Sequence, residues 1–259
     1  MEEKKIEIGG ISVNYKTFGA GAPVLVLHGW GGSSDSWVKV SELLEKHGYM
    51  AVCPDLPGFG KSQEPREPWS VDKYLEFVEL FAGQLNLNSF FLIGHSFGGG
   101  LALAFSALNS QSVKMLVLCD AAAIRTERLD WRQSCAKRMA YAKKLVINMP
   151  FFKNIRPLAQ KIIYKIAGVH DYHKATPLMK ETFNNIIEED LQKYAGSIRI
   201  PVLIAWGERD KSTPVEDAYT LQHLIPGSRI EAIKGVGHNP HREAPEVLAE
   251  KIINFFKTK

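Results

Sequence analysis

Along most of the chain, short apolar runs alternate with stretches whose apolar residues recur at helical spacing. "IEIGGISVNYKTFG" alternates apolar and polar positions about Gly9-Gly10, the pattern of a β-hairpin. "PVLVLHG" (Pro23 to Gly29) is a continuous apolar run of strand length, as expected for a strand buried on both faces. "YMAVCPD", "FFLIG", "VKMLVLCD", "IPVLIAWG" and "SRIEAI" predict further strands. Between them lie helical stretches: Trp37 to Lys46, "SVDKYLEFVELFAGQL" with Ser70 as its cap, "LALAFSALN", "VEDAYTLQHLI" and "APEVLAEKIINFF". Strands alternating with helices predict an α/β fold, a mostly parallel sheet with helices on both faces.

The alternation fails between about 121 and 197. That stretch reads as helix after helix, broken at Pro150, Pro157, Gly168 and Pro177. It predicts an inserted helical cap (121–197) on a core made of 1–120 and 198–259. One segment needs separate treatment. "FFLIGHSFGGGLALAFSAL" (Phe90 to Leu108) carries no acid, lysine or arginine and approaches the length of a membrane span. Its glycines at 94, 98, 99 and 100 suit a tight turn, not one long helix. The segment therefore divides into a strand and a helix, with Ser96 on the joint, and no transmembrane helix is expected.

Composition narrows the class. Hydrophobic residues make up 45% of the 259 and charged residues 23%, an ordinary globular balance. The net charge of +4 is too weak to imply nucleic acid. That charge is unevenly placed: residues 125–174 hold twelve Lys and Arg against three Asp and Glu, a net of +9, so the rest sums to −5. "PFFKNIRPLAQKIIYKIAG" resembles a basic amphipathic helix, suited to an anionic lipid surface or an acidic carrier protein. The N-terminus "MEEKKIEIGG" lacks the apolar core of a secretory signal. Three cysteines (Cys53, Cys119, Cys135) at unrelated spacings, two of them ending strand-like runs, predict free thiols and a cytoplasmic setting. No zinc-ligand spacing is present, and neither a metal nor an organic cofactor is expected.

The chemistry gathers at the joint. Gly94-His95-Ser96-Phe97-Gly98 fits G-x-S-x-G between a strand and a helix. A serine on so sharp a turn needs strained backbone angles and close neighbours, and the flanking glycines remove the Cβ atoms that would clash. The turn lifts the hydroxyl clear of the sheet and offers the Phe97 N–H to developing negative charge. Serine needs a base, and the base an orienting acid. Asp210, in the loop after "VLIAWG", and His238, in the loop after "IEAI", supply them in the order Ser, Asp, His. Asp120, which also ends a strand, is the alternative acid, and His241 the alternative base. The Trp30 N–H, after "LHG", is the second expected oxyanion donor. His28 and His95 are placed at the substrate pocket, His95 lining or supporting the turn.

"LHGWGG", "PDLPGFGKS", "GHSFGG", "GERD" and "GHNPHREAPE" stand in the order and spacing of the α/β-hydrolase superfamily, which the chain resembles over nearly its whole length. The resemblance implies an α/β-hydrolase fold with Ser96, Asp210 and His238 as triad, Trp30 and Phe97 as oxyanion hole, and about 121–197 as cap. It implies a serine hydrolase acting on a small-molecule carboxylic ester or thioester with an apolar acyl group. Serine at position 96 disfavours the dehalogenases and epoxide hydrolases of the superfamily, which use Asp there. "HGWG", "PGFG" and a helical cap are similar to methyl ester esterases of a pimeloyl carrier protein and to hydrolases that cleave C–C bonds in ring-opened aromatics. A C–C hydrolase, a cofactor-free perhydrolase and a ligand-binding receptor are therefore the alternatives.

Overall fold

The structure is a computed structural model that describes residues 1–124 and 175–258. Eight strands form one sheet: β1 (Glu2–Ile8), β2 (Ile11–Phe18), β3 (Ala22–Leu27), β4 (Tyr49–Pro54), β5 (Phe90–His95), β6 (Val113–Cys119), β7 (Val202–Gly207) and β8 (Arg229–Ile233). Their spatial order is β1-β2-β4-β3-β5-β6-β7-β8. β1 and β2 form the expected hairpin at Gly9-Gly10, and β2 runs antiparallel to β4. From β4 to β8 every pairing is parallel, which brings the carboxyl ends of β3, β5, β6, β7 and β8 to one edge. Ligands bind along that edge in open α/β sheets.

Seven helices are described: α1 (Val38–Lys46), α2 (Val71–Gln84), α3 (Phe97–Leu108), α4 (Pro177–Glu188), α5 (Val215–Leu224), α6 (Pro240–Glu243) and α7 (Pro245–Phe256). α1 packs on α7, and α2 packs on α3. Alternate strand residues such as Val24, Val26, Ile93, Val117 and Ala205 join Leu44, Leu248 and Phe256 in one buried cluster. Their neighbours Leu25, Leu27, Leu92 and Leu118 point the other way and are equally buried. All six residues of β5 and of β7 are buried, so these strands read as unbroken apolar runs because helices cover both faces. The Ser70 side chain accepts the Lys73 N–H as the cap of α2. No helix among the described residues is long and apolar enough to cross a membrane; residues 90–108 are β5 and α3.

The sheet belongs to a compact unit made of Met1–Ile124 and Pro177–Lys259. α4 and the short 3-10 helix Leu191–Ser197, both inside the segment expected to be cap, are thus part of the core unit. The reason is local. Thr182 Oγ1 accepts the Trp69 N–H at 3.0 Å, and Leu191 packs where a Cβ on Gly100 would otherwise lie, 2.7 Å from its Cδ1. The second unit, Arg125–Thr176, carries the basic residues and Cys135, which lie outside the described residues. Cys53 and Cys119 are buried free thiols.

Candidate active site

Ser96 sits between β5 and α3 with φ +51° and ψ −117°, a region non-glycine residues rarely enter. Its N–H donates to the Cys119 carbonyl at 3.0 Å, and its own carbonyl accepts the Ala122 N–H at 2.8 Å, pinning the turn to the end of β6. A Cβ on Gly98 would lie 2.5 Å from the His28 carbonyl oxygen, and one on Gly94 would lie 2.6 Å from the Ala102 Cβ. Those two approaches explain why glycine flanks the serine on both sides.

Beyond the sheet edge, three loops converge. The Ser96 hydroxyl donates to His238 Nε2 at 3.0 Å, and the His238 Nδ1–H donates to Asp210 Oδ2 at 2.6 Å. The carboxylate at Nδ1 selects the tautomer that leaves Nε2 free to accept. Asp210 also accepts from the Ser212 N–H (2.7 Å), the Thr213 N–H (3.1 Å) and the Thr213 hydroxyl (2.7 Å). Burial raises the Asp210 pKa, but hydrogen bonds from His238 and Thr213 outweigh it and hold the carboxyl below its ordinary range. An ionised acid held by four hydrogen bonds, behind an imidazole, behind a serine, is an arrangement that transfers a proton away from a nucleophile.

The loop after β3 passes against the serine. A Cβ on Gly29 would lie 3.1 Å from the Ser96 Cβ, so this loop comes close to the nucleophile one residue before Trp30. The Phe97 amide belongs to the first turn of α3, where an N–H has no intrahelical acceptor. The Trp30 ring meets Phe59 (4.8 Å between centroids), Phe97 (5.8 Å) and Phe183 of α4 (5.0 Å), an aromatic wall beside the serine.

The two histidines expected at the substrate pocket are scaffold residues. His28 is 1% exposed; its Nδ1–H donates to the Gly29 carbonyl at 2.8 Å and its Nε2 accepts the Leu56 N–H at 2.9 Å. Both nitrogens are turned inward, so neither is free to meet a ligand. His95 is buried, and its Nε2–H donates to the backbone carbonyl of His238 at 2.7 Å, fastening the base's loop. His241, the alternative base, is buried against Trp37 with rings 4.7 Å apart and 8° from parallel. Asp120, the alternative acid, lies behind Asp210 and not beside His238 Nδ1; its Oδ1 accepts the Gly207 N–H at 2.9 Å.

Three supporting residues escaped the sequence reading. Thr213 braces Asp210, and its position three after an Asp in "DKST" is the only local signal, that of an Asx-type turn. Glu243 accepts from the Gly237 and Asn239 amides at 2.8 and 3.1 Å, clasping the His238 loop from both sides. Asp55, in "PDLPGFGKS", accepts from Ser34, Lys61 and Asn14, so that motif ties the loop before α1 to the sheet.

This sheet, a serine at a strained strand-to-helix turn, and an aspartate and a histidine on the loops after β7 and β8 define the α/β-hydrolase fold. Comparison with known proteins agrees. A family model described as alpha/beta hydrolase fold matches residues 22–149, and the chain has that fold. It is 26% identical to Lipase 1 of Psychrobacter immobilis, over 89% of this chain and 75% of that protein. It is also 26% identical to the 2-hydroxy-6-oxo-6-(2'-aminophenyl)hexa-2,4-dienoic acid hydrolase of Metapseudomonas resinovorans, over 99% of this chain and 91% of that one. The crystal structure of a putative lipase from Acinetobacter baumannii superposes with a TM-score of 0.77 at 25% identity, covering 98% of this chain and 90% of the other.

Proposed function

We propose that the chain is a serine hydrolase that cleaves a carboxylic ester or thioester with an apolar acyl group, through an acyl-enzyme. The observation that carries this reading is the unbroken hydrogen-bonded series from Asp210 through His238 to Ser96, at 2.6 and 3.0 Å. Ser96 Oγ attacks the carbonyl carbon while His238 Nε2 takes its proton. The Trp30 and Phe97 amides receive the oxyanion, and the imidazolium, steadied by Asp210, then protonates the leaving alcohol or thiol. Water, deprotonated by His238, attacks the acyl carbon; the returned proton frees Ser96 and releases the acid. The aromatic wall of Trp30, Phe59, Phe97 and Phe183 favours an apolar acyl group.

Turnover of p-nitrophenyl esters from acetyl to palmitoyl, with Ser96→Ala as control, tests the reading. The expected result is turnover that falls by a factor of about 10⁴ or more in the variant. Hydrolysis that survives in Ser96→Ala would end it. A second reading has specific support, since the dienoic acid hydrolase is matched over more of its length than the lipase is. Under it the same serine site cleaves a C–C bond. Consumption of 2-hydroxy-6-oxo-2,4-heptadienoate, the substrate named for another relative at 27% identity, faster than any ester would favour it.

A further inference from the structure

Asp120 takes no part in the cycle just described, yet it is wholly buried at the end of β6. Its φ of +46° holds a non-glycine residue in the left-handed region, a strain that simple packing does not call for. Its backbone and side chain join the parts of the site. The Asp120 N–H donates to the Ala205 carbonyl, its carbonyl oxygen lies 3.1 Å from the Thr213 hydroxyl oxygen, and its Oδ1 accepts the Gly207 N–H. The carbonyl of the preceding Cys119 accepts the Ser96 N–H. A carboxyl oxygen of Asp120, a carboxyl oxygen of Asp210 and a ring nitrogen of His238 all lie within 4.8 Å of one another.

Two buried carboxyl groups this close do not both ionise, so one of them keeps its proton. Asp210 faces the His238 Nδ1–H, two backbone amides and the Thr213 hydroxyl, all of which need an acceptor. Asp120 faces the Gly207 amide and, at 3.6 Å, the Cys119 thiol, which acts as a weak donor to Oδ2. The donors therefore favour the charge on Asp210 and the proton on Asp120. Burial, and then the Asp210 charge, act the same way, pushing the Asp120 carboxyl up to about 9 against the opposing Gly207 amide.

We infer that Asp120 is a positioning residue of this site, a neutral carboxylic acid whose O–H donates to the Asp210 carboxylate and holds it, ionised and oriented, against His238. The inference rests on the serine-hydrolase reading above. Asparagine reproduces such an acid: its carbonyl accepts the Gly207 amide and its NH₂ donates to Asp210. Leucine does neither.

The test compares Asp120→Asn and Asp120→Leu in ester turnover against pH, beside thermal midpoints and ¹³C NMR of aspartate-labelled protein. In Asp120→Leu, kcat falls by about 10- to 100-fold with KM nearly unchanged, as for loss of a hydrogen bond to a charged group. Its acidic limb moves to higher pH, because Asp210 without its donor stabilises the imidazolium more strongly. Asp120→Asn rescues most of that loss with the wild-type limb. The wild type shows one protonated aspartate carboxyl at pH 7, absent from Asp120→Asn. Equal damage in both folded variants, an Asn limb displaced to lower pH, no effect in either, or no protonated carboxyl at pH 7 would each overturn the inference. Absence of Ser96-dependent turnover, with Ser96 unlabelled by a fluorophosphonate, would instead sink the hydrolase reading, while the carboxyl resonance would still decide where the proton resides.

Discussion

Buried neutral histidines make the stability of this fold depend on pH in a way the structure quantifies, and His241→Phe is the perturbation that isolates it. His241 is 3% exposed, stacks on Trp37, and has no partner for its Nδ1. Burial, then the nearby Arg242 and His238, lower its pKa from 6.5 to about 3. A histidine with a depressed folded pKa stays neutral while the unfolded chain takes a proton, so stability is lost as pH falls below 6.5. Over the full window of about 3.5 units the loss approaches about 5 kcal/mol. His95 acts in the same direction, since burial and its histidine neighbours hold it well below 6.5. His28 adds a smaller part just below 6.5 through burial. Asp120 opposes them: its raised pKa means the unfolded chain loses a proton that the folded chain keeps, so it contributes increasing stability as pH falls from about 9 toward 3.8. The net is an uptake of about one to two protons on unfolding, or about 1.4 to 2.7 kcal/mol per pH unit just below pH 6. Urea unfolding between pH 7.5 and 5.0 measures it, above the range where carboxylates with lowered pKa contribute. His241→Phe keeps the stacking on Trp37 and should be less steep than the wild type by about 1.4 kcal/mol per pH unit. A wild-type stability flat from pH 7 to 5, or a variant with the same slope, would refute the reasoning.

Two further outcomes follow from the turn at Ser96. Ser96→Gly, which relieves the positive φ, should raise stability by about 1–3 kcal/mol while abolishing turnover, read as a higher urea midpoint at unchanged m-value. Gly98→Ala should do the reverse to the fold: its Cβ meets the backbone carbonyls of Leu27 and His28, so β3 and α3 must separate, and soluble yield and thermal midpoint both drop.

The strands were legible because a sheet covered on both faces demands apolar runs, and β3, β5, β6 and β7 carry them almost without interruption. Ser96 was legible because its geometry needs glycine at fixed offsets, a local requirement. The placement of α4 was not, because what holds it is a hydrogen bond from Trp69 to Thr182 across 113 residues and a contact of Leu191 with Gly100. Helical periodicity looks the same in a cap and in a core layer. The ring orientations of His28 and His95 were not legible for a related reason. Their neighbours in sequence are site residues, but the orientation of each ring is set by Leu56 and by the His238 carbonyl, in loops far along the chain. Thr213 and Glu243 brace loops through backbone amides, and amides have no signature in the sequence.

The site also concentrates features that a fold built for stability alone would avoid. Ser96 and Asp120 sit at positive φ, three histidines are buried uncharged, and a carboxyl is held where water cannot reach it. The rings of His95 and His238 lie 5.0 Å apart, and those of His95 and His241 4.4 Å. Charge on His95 or His241 would repel a proton on His238, the group that must accept one. Keeping the two scaffold imidazoles neutral by burial leaves Asp210 as the charge that His238 meets directly. The same desolvation that costs stability below pH 6.5 thus gives His238 a single electrostatic partner, which is what a serine–histidine proton transfer requires.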